Sequence, residues 1–411
     1  MREMKDSGTV WLGTIPVNWD IARIGSFYRL RNTKVSDTDY PPLSVTNKGV
    51  VPQLETAAKT NAHDDRKLVK KGDFAINSRS DRRGSCGISP CDGSVSLINT
   101  ILSPMGEMNP RYYDWLFHTI EFGDEFYKCG HGIVDDLWTT GWQDMKKILI
   151  PYPSLAEQEK IANFLDSQCS EIDAISADIQ KEIETLEQYK RSVITEAVTK
   201  GLNPDVEMKD SGVPWIGKMP ANWTCIKGKY ILKYMQKPVK PDDGVITCFR
   251  DGEVTLRSNR REDGFTMADK EIGYQGIDVG DLVVHGMDGF AGAIGISDSR
   301  GKASPVLNVL DSRQNKKYIM YYLRSMAYGD VFAALATGIR VRSCDLRWNK
   351  LSVLLYPVPP LEEQAEIVQY IEDTLNKVNG VIGEKKQQLT VIDSYKKSLI
   401  YEYVTGKKEA L

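Results

Sequence analysis

The amino-acid sequence contains two copies of one long pattern, and this duplication most constrains how the chain can fold. The segment at residues 4–19, MKDSGTVWLGTIPVNW, returns at residues 208–223 as MKDSGVPWIGKMPANW. The segment YKRSVITEAVT at residues 189–199 returns at residues 395–405 as YKKSLIYEYVT. Matches at both ends of each copy indicate a tandem duplication. We place the join at residues 203–205, because Pro204 disfavours helix in the residue before it.

Each copy ends in a stretch with helical periodicity. Residues 155–199 contain neither proline nor glycine, and an unbroken helix of this length would measure about 67 Å. Apolar side chains recur in steps of three and four, which is typical of a helix with one apolar seam. The predicted seams consist of Ile161, Leu165, Ile172, Ile175, Ile179, Ile183, Leu186, Tyr189 and Val193 in the first copy and of Ile371, Leu375, Val378, Ile382, Leu389, Ile392, Tyr395 and Leu399 in the second. Two such seams predict an antiparallel coiled coil, although Gly380 and Gly383 predict a bend or a lower rigidity in the second helix.

The regions between the repeated ends have a mixed pattern. Short β-branched runs are broken by glycine, aspartate and proline, and helical patterns occur at residues 112–122 and 318–326. The predicted fold class is therefore α+β, with two globules that are each followed by a long helix. The predicted segments are residues 1–152 for the first globule, 153–203 for the first helix, 204–358 for the second globule and 359–411 for the second helix.

Other repeated positions predict structural roles. Trp11, Trp19, Trp215 and Trp223 occupy matching places in the two copies, and we expect them to pack in the cores. Gln158 and Gln364 also match, and we expect capping or interhelical hydrogen bonds from them.

The composition sets limits on the class of protein. The net charge of −3 does not by itself favour nucleic-acid binding, so local evidence is required. Seven scattered cysteines without a Cys-x-x-Cys pair predict reduced thiols. The N-terminus lacks an apolar signal core, and no stretch approaches 18 apolar residues. These features predict a soluble cytoplasmic protein.

A search for catalytic motifs finds none with the required spacing. The histidines His63, His118, His131 and His285 show no metal-ligand spacing. The glycines of residues 289–295 follow a strand and open no predicted helix, which argues against a dinucleotide loop. The segment from Gly295 to Lys302 has one residue too many for a phosphate loop. We therefore predict a chain that is not an enzyme by itself and holds neither metal nor cofactor.

Local clusters of arginine favour contact with DNA. Arginine can read guanine, asparagine can read adenine, and serine can hold phosphate. A solvated turn is the alternative reading of the cluster that follows the strand near residue 76. The candidate DNA-binding residues are Lys70, Lys71, Asn77, Ser78, Arg79, Ser80, Arg82 and Arg83 in the first globule and Arg250, Arg257, Arg260, Arg261, His285, Arg340 and Arg342 in the second. The stretch that corresponds to Arg340 and Arg342 carries Asp135 and Asp136, so the two globules differ in their polar loops.

The repeated motifs resemble those of one family, the specificity (S) subunits of type I restriction–modification systems. The resemblance rests on MKDSGxxWxGxxPxxW at the head of each half and on PSLAEQEKIANFLD and PPLEEQAEIVQYIED at the start of each long helix. The stretch ATGIRVRSCDLRW, residues 336–348, resembles the end of a target-recognition domain. Together these motifs cover nearly the whole chain.

The resemblance implies a function and a set of partners. Each globule would be a target-recognition domain that reads one half of a bipartite, asymmetric DNA sequence, and the paired helices would set the gap between the half-sites. Two methylation (M) subunits, which use S-adenosylmethionine to methylate adenine N6, would bind this chain. Restriction (R) subunits that use ATP and Mg would join them. The seam residues Ile172, Ile175, Ile179, Leu186, Leu375, Val378, Leu389 and Ile392 would form the subunit and coiled-coil contacts.

An enzyme and a protein scaffold are the two alternative classes of function. An enzyme with two active sites should repeat its catalytic residues, whereas these halves share frame residues and differ in polar loops. A tandem scaffold for protein partners, without DNA readout, has no need of unequal arginine clusters. Salt-dependent DNA binding separates the scaffold from the DNA reader.

Overall fold

The computed structural model describes residues 2–54, 63–79, 82–132, 138–260, 272–335 and 346–410. The chain divides into two compact units. Unit 1 contains residues 1–180 and 386–411, and unit 2 contains residues 181–385. Both long helices are divided between the units, so the compact units differ from the four segments predicted along the sequence.

Helices occupy the places that the apolar periodicity indicates. In the described residues they are α1 (Pro110–Phe117), α2 (Ile120–Lys128), α3 (Trp142–Met145), α4 (Leu155–Lys200), α5 (Gly228–Ile231), α6 (Lys316–Tyr328), α7 (Val331–Ala334), α8 (Trp348–Leu351) and α9 (Leu361–Val404). The long helix α9 continues through Gly380 and Gly383, so no break in the helix occurs at the predicted bend. None of the helices in the described ranges combines the length and the apolar character that crossing a membrane requires.

Unit 1 contains antiparallel strands packed against helices. Its strands are β1 (Met4–Asp6), β2 (Thr14–Pro16), β3 (Asp20–Arg23), β4 (Tyr28–Arg31), β5 (Lys34–Val35), β6 (Leu43–Thr46), β7 (Gly49–Pro52), β8 (Arg66–Val69), β9 (Phe74–Asn77), β10 (Cys86–Ile88), β11 (Gly93–Ser96), β12 (Asn99–Pro104) and β13 (Leu149–Tyr152). The largest sheet has the order β10-β9-β12-β4, and a second has the order β11-β8-β5. Strand β13, which precedes α4, pairs with β3 near the head of the globule.

Unit 2 repeats this arrangement. Its strands are β14 (Met208–Asp210), β15 (Lys218–Pro220), β16 (Thr224–Lys227), β17 (Leu232–Met235), β18 (Ile246–Cys248), β19 (Val254–Leu256), β20 (Gln275–Ile277), β21 (Leu282–His285), β22 (Ile294–Ile296), β23 (Gly301–Ala303), β24 (Leu307–Ser312) and β25 (Leu355–Val358). The sheet β17-β24-β21-β22 corresponds to the four-stranded sheet of unit 1, and β16 pairs with β25 before α9. The predicted α+β class with two similar globules and two long helices is confirmed.

Each unit has a hydrophobic core to which both long helices contribute. In unit 1, Trp19, Tyr112 and Phe117 pack with Leu165 of α4 and Leu399 of α9. In unit 2, the corresponding core contains Trp223 and Tyr318 together with side chains from the end of α4 and the start of α9. Trp11, Trp19 and Trp223 are buried and Trp215 packs against the core, as the matching sequence positions predict.

The two long helices run antiparallel where they meet in unit 1. The rings of Phe164 and Tyr403 stack with centroids 4.3 Å apart, and Lys396 donates to Asp173 at 2.6 Å. Residue numbers therefore rise along one helix while they fall along the other. In unit 2, Lys385 and Glu182 form an ion pair between the same two helices.

The apolar seam is narrower than the periodicity predicts. The seam residues Ile183 and Ile382 are buried, and so is Val378, one of the eight subunit-contact candidates. Six other candidates are partly exposed: Ile172, Ile179, Leu186, Leu375, Leu389 and Ile392. The prediction needs correction at Ile175, which is 53% exposed, and at Tyr189 and Tyr395, which are also exposed. Positions spaced by alternating steps of three and four rotate gradually around a straight helix. The side chains of these three residues therefore lie off the contact face.

Buried glutamines fix the start of each long helix to its globule. Gln158 is fully buried, its Oε1 accepts from the Asn109 N–H at 2.8 Å, and its Nε2 donates to the Pro153 carbonyl at 2.9 Å. Gln364 makes the same two contacts, with Asn315 at 2.9 Å and Pro359 at 2.9 Å. The prediction of capping or interhelical bonds is thus refined, since each glutamine links its helix to the residue that caps α1 or α6.

We expect Gln158→Leu to lower the free energy of unfolding by about 1–3 kcal/mol, because it leaves a buried N–H and a buried carbonyl without partners. Leucine has a similar volume, so the loss does not arise from a cavity. Urea denaturation measures the effect. Gln180→Leu, at an exposed position of the same helix, is the control. Equal effects of the two substitutions would contradict the assigned role of Gln158.

Candidate nucleic-acid interface

The arginine loop of unit 1 begins where β9 ends. Asn77 is 8% exposed, and its Oδ1 accepts from the Arg79 N–H at 3.0 Å. The Ser78 hydroxyl lies 2.9 Å from the Thr100 hydroxyl. The buried amide and the hydroxyl therefore shape the loop, and the predicted reading of adenine by Asn77 is not favoured by this arrangement.

The arginines of this loop are exposed. Arg79, Arg82 and Arg83 all face solvent. Arg83 donates to Asp124 at 2.8 Å, and its guanidinium lies 4.2 Å from the centroid of the Tyr127 ring. Both partners belong to α2, so this helix holds one guanidinium beside the loop. Ser80 lies outside the described residues.

The lysines predicted to contact DNA lie upstream of this loop. Lys70 and Lys71 are exposed in the turn before β9, where their N–H groups donate to Asp73 at 2.9 Å and to Asp92 at 2.8 Å. A four-residue strand is about 13 Å long. The lysines and the arginine loop therefore occupy opposite ends of β9, and contact of these lysines with DNA remains a prediction.

The hairpin β18–β19 carries the arginines of unit 2. A Cβ at Gly295 would lie 1.9 Å from the Gly252 carbonyl oxygen, so only glycine permits the turn to rest this closely on β22. Arg250, in this turn, donates to Asp288 at 2.8 Å. The backbone of the turn is thus fixed against β22, while the turn presents the exposed guanidinium of Arg250.

Arg260 and Arg257 lie beside the same hairpin. Arg260 donates to Asp251 at 2.7 Å and lies 3.1 Å from Glu253, and its guanidinium lies 4.1 Å from the Phe249 ring centroid. Arg257 is partly exposed, and its Nε lies 3.4 Å from the Thr247 hydroxyl. The arginines of unit 2 are therefore interleaved with carboxylates, a feature that the sequence clusters did not predict.

His285 lies at the end of β21 and is linked to the hairpin through Asp288. Its Nδ1 accepts from the Asp288 N–H at 2.9 Å and from the Met287 N–H at 3.2 Å, which places the proton of the neutral ring on Nε2. Burial lowers the pKa of His285; Asp288 opposes this shift and Arg250 adds to it. His285 thus shapes the loop at 286–288, and contact with DNA remains a prediction.

Three more candidates, Arg261, Arg340 and Arg342, lie outside the described residues. The structure also brings in groups that the sequence analysis missed. Asp288 joins Arg250 to His285, and Arg324 of α6 donates to the Asp251 carbonyl at 2.7 Å. These contacts link positions far apart in the sequence, so no local pattern indicated them.

The chain thus has a duplicated α+β frame with two different arginine-bearing surfaces. No family model matches the sequence. The MjaVIII type I restriction enzyme specificity subunit of Methanocaldococcus jannaschii is 24% identical, in an alignment that covers 96% of this chain and 93% of that protein. The StySPI type I specificity subunit of Salmonella potsdam is 21% identical over 271 residues, which cover 64% of this chain and 58% of that protein.

Solved structures share the fold. One, from a study of complex assembly and conformational transition of the type I R-M system, has a TM-score of 0.70 at 13% identity and covers 96% of this chain and 99% of its own. The HsdS subunit of Thermoanaerobacter tengcongensis has a TM-score of 0.50 at 14% identity, covering 96% and 98%. The chain is a homologue of the type I restriction enzyme specificity subunits, which confirms the relationship that its repeated motifs predict.

We expect the pKa of His285 to lie below 6.5 in an NMR titration of the folded chain, because burial disfavours its charged form. Arg250→Gln should raise this pKa, and Asp288→Asn should lower it further. A depressed pKa means that the contribution of His285 to stability is present above the unfolded-state pKa and is lost as the pH falls through the folded-state pKa. A pKa at or above 6.5, insensitive to both substitutions, would contradict the described surroundings of the ring.

Proposed function

We propose that this chain is the DNA-reading subunit of a type I restriction–modification complex, in which each unit reads one half of a bipartite, asymmetric site. One observation carries the proposal: the two units repeat the same internal frame but present different polar loops. The frame contacts of Gln158 and Gln364 are equivalent. The arginine loop after β9 and the arginine hairpin β18–β19 belong to different parts of the repeat.

The ion pairs of the arginines suit a surface on which DNA replaces the carboxylate partner of each guanidinium. The Arg83–Asp124 and Arg250–Asp288 pairs are exposed, and exposed ion pairs contribute about 0–1 kcal/mol. A DNA phosphate or a guanine edge can therefore replace the carboxylate at small cost. The stacking of Arg83 on Tyr127 and of Arg260 on Phe249 keeps the guanidiniums ordered during such an exchange.

The partners follow from the same proposal. Two methylation subunits, using S-adenosylmethionine, bind this chain and methylate adenine, and restriction subunits that use ATP and Mg join them. The paired helices α4 and α9 set the distance between the half-sites and provide contacts for these subunits. This chain itself binds no cofactor, and the complex acts in the cytoplasm on double-stranded DNA.

The first test is a methylation map of DNA from cells that express this chain together with its methylation subunit. We expect one two-part motif with a fixed gap, and we expect the methylation to disappear when this chain is omitted. A stable complex that methylates without this motif, or a chain that binds the methylation subunit but no DNA, would support a protein scaffold instead.

The second test exchanges residues 20–150 for the matching segment of another specificity subunit. We expect one half-site of the motif to change while the other half-site and the gap stay the same, because each unit reads independently. The matched control exchanges residues 224–354, which should change only the other half-site. A change in both halves after either exchange would contradict the assignment of one half-site to each unit.

A further inference from the structure

Unit 2 contains a cleft that none of the sequence motifs marks. It lies between the C-terminal part of α4, the middle of α9, helix α6 and the turn of the hairpin β18–β19, and its volume is about 640 Å³. Its wall includes Lys190, Arg191, Arg250 and Arg324. These four cations come from three elements, α4, the hairpin turn and α6, and they line one space.

Two of these guanidiniums converge on a single aromatic ring. Arg191 and Arg324 lie 5.5 and 5.8 Å from the centroid of the Tyr328 ring. Arg324 also donates through Nε to the Tyr328 hydroxyl at 2.9 Å and through Nη2 to the Asp251 carbonyl at 2.7 Å. These contacts fix the plane of the Arg324 guanidinium, so its position in the cleft is set before any ligand arrives.

The carboxylates of the cleft are mostly engaged with other cations. Glu187 accepts from Lys190 at 2.9 Å, and Asp251 accepts from Arg260 at 2.7 Å. Within the described part of the chain, neither Arg191 nor Arg324 forms an ion pair with a carboxylate. The cleft therefore has two guanidiniums whose charges are not neutralised by an ion pair. The carboxylate of Asp330 is the remaining negative charge among the residues that line it.

We propose that this cleft is a phosphate-binding site. Two guanidiniums of like charge that approach one space repel each other, and a phosphate between them replaces this repulsion with charge-assisted hydrogen bonds. The volume also accommodates the groups bonded to the phosphate. The phosphate is either a phosphodiester of DNA that contacts the neighbouring hairpin, which rests on the function proposed above, or a free phosphoester, which does not.

The site belongs to unit 2 alone. In the repeat, Lys397 corresponds to Arg191, and His118 and Phe122 correspond to Arg324 and Tyr328. Lys397 is paired with Asp393 at 2.6 Å, and the Nδ1–H of His118 donates to the Asp114 carbonyl of its own helix at 2.8 Å. Phe122 is buried and carries no hydroxyl. Unit 1 thus lacks the paired guanidiniums, and this difference provides an internal control.

The test uses Arg191→Gln, an exposed position on α4, with Lys397→Gln as the matched control. Pyrophosphate binding to the full chain is measured by calorimetry, and binding of duplex DNA to its complex with the methylation subunit is measured at several salt concentrations. If DNA supplies the phosphate, we expect Arg191→Gln to reduce the slope of log K against log salt by about 1 and the control to leave it unchanged. If a free phosphoester is the ligand, pyrophosphate binding should weaken about tenfold in Arg191→Gln while the DNA slope stays the same.

A second variant guards against an indirect effect. Arg324→Lys keeps the charge but removes the fixed fork, so it should weaken whichever interaction Arg191→Gln weakens. If Arg191→Gln changes neither pyrophosphate binding nor the DNA slope, the proposed site is overturned. If the complex binds no DNA but pyrophosphate binding depends on Arg191, the phosphate site stands and the proposed DNA-reading function fails.

Discussion

The attachment of each long helix to its globule is the constraint on which the rest of the structure depends. The indole N–H of Trp19 donates to Glu157 at 2.8 Å, and that of Trp223 donates to Glu363 at 2.9 Å. Each of these glutamates precedes a fully buried glutamine, Gln158 or Gln364. A buried amide must satisfy both its donor and its acceptor, so it permits few positions of the helix start relative to the globule.

The far end of the other helix completes this attachment. The Tyr112 hydroxyl donates to the Val404 carbonyl at 2.7 Å, and the Tyr318 hydroxyl shares its proton between the Val198 and Pro357 carbonyls, each at 3.0 Å. The Val404 and Val198 carbonyls lie in the last turn of α9 and α4, where the helix itself supplies no donor. The tyrosines therefore cap helix ends that would otherwise carry unpaired buried carbonyls. One set of contacts in each unit thus holds the beginning of one helix and the end of the other.

Much of this frame was predictable from the sequence, because it is encoded by repetition and by local periodicity. The duplication, the two long helices, the core tryptophans and the α+β class all follow from residues close together in the chain. The candidate interface was less predictable, because its geometry depends on contacts between distant residues. Lys70 is near Asn77 in sequence, yet a strand separates their positions. Asp288, which neutralises Arg250, follows a different strand. Periodicity alone placed Ile175 on the predicted seam, although its side chain is exposed.

The division between a fixed frame and variable loops also has a physical basis in the glycines that support the hairpins. A Cβ at Gly87 would lie 2.7 Å from the Gly49 Cα, and Gly295 is equally intolerant of a side chain beside Gly252. Backbone contact, which is independent of side-chain identity, therefore holds each hairpin against its sheet. Side chains at the hairpin turn can then change without moving its backbone. Two copies of one frame can in this way acquire different surfaces while both keep the same attachment to the helices. The hairpin turn of unit 2 carries Arg250, whereas the corresponding turn of unit 1 carries no arginine.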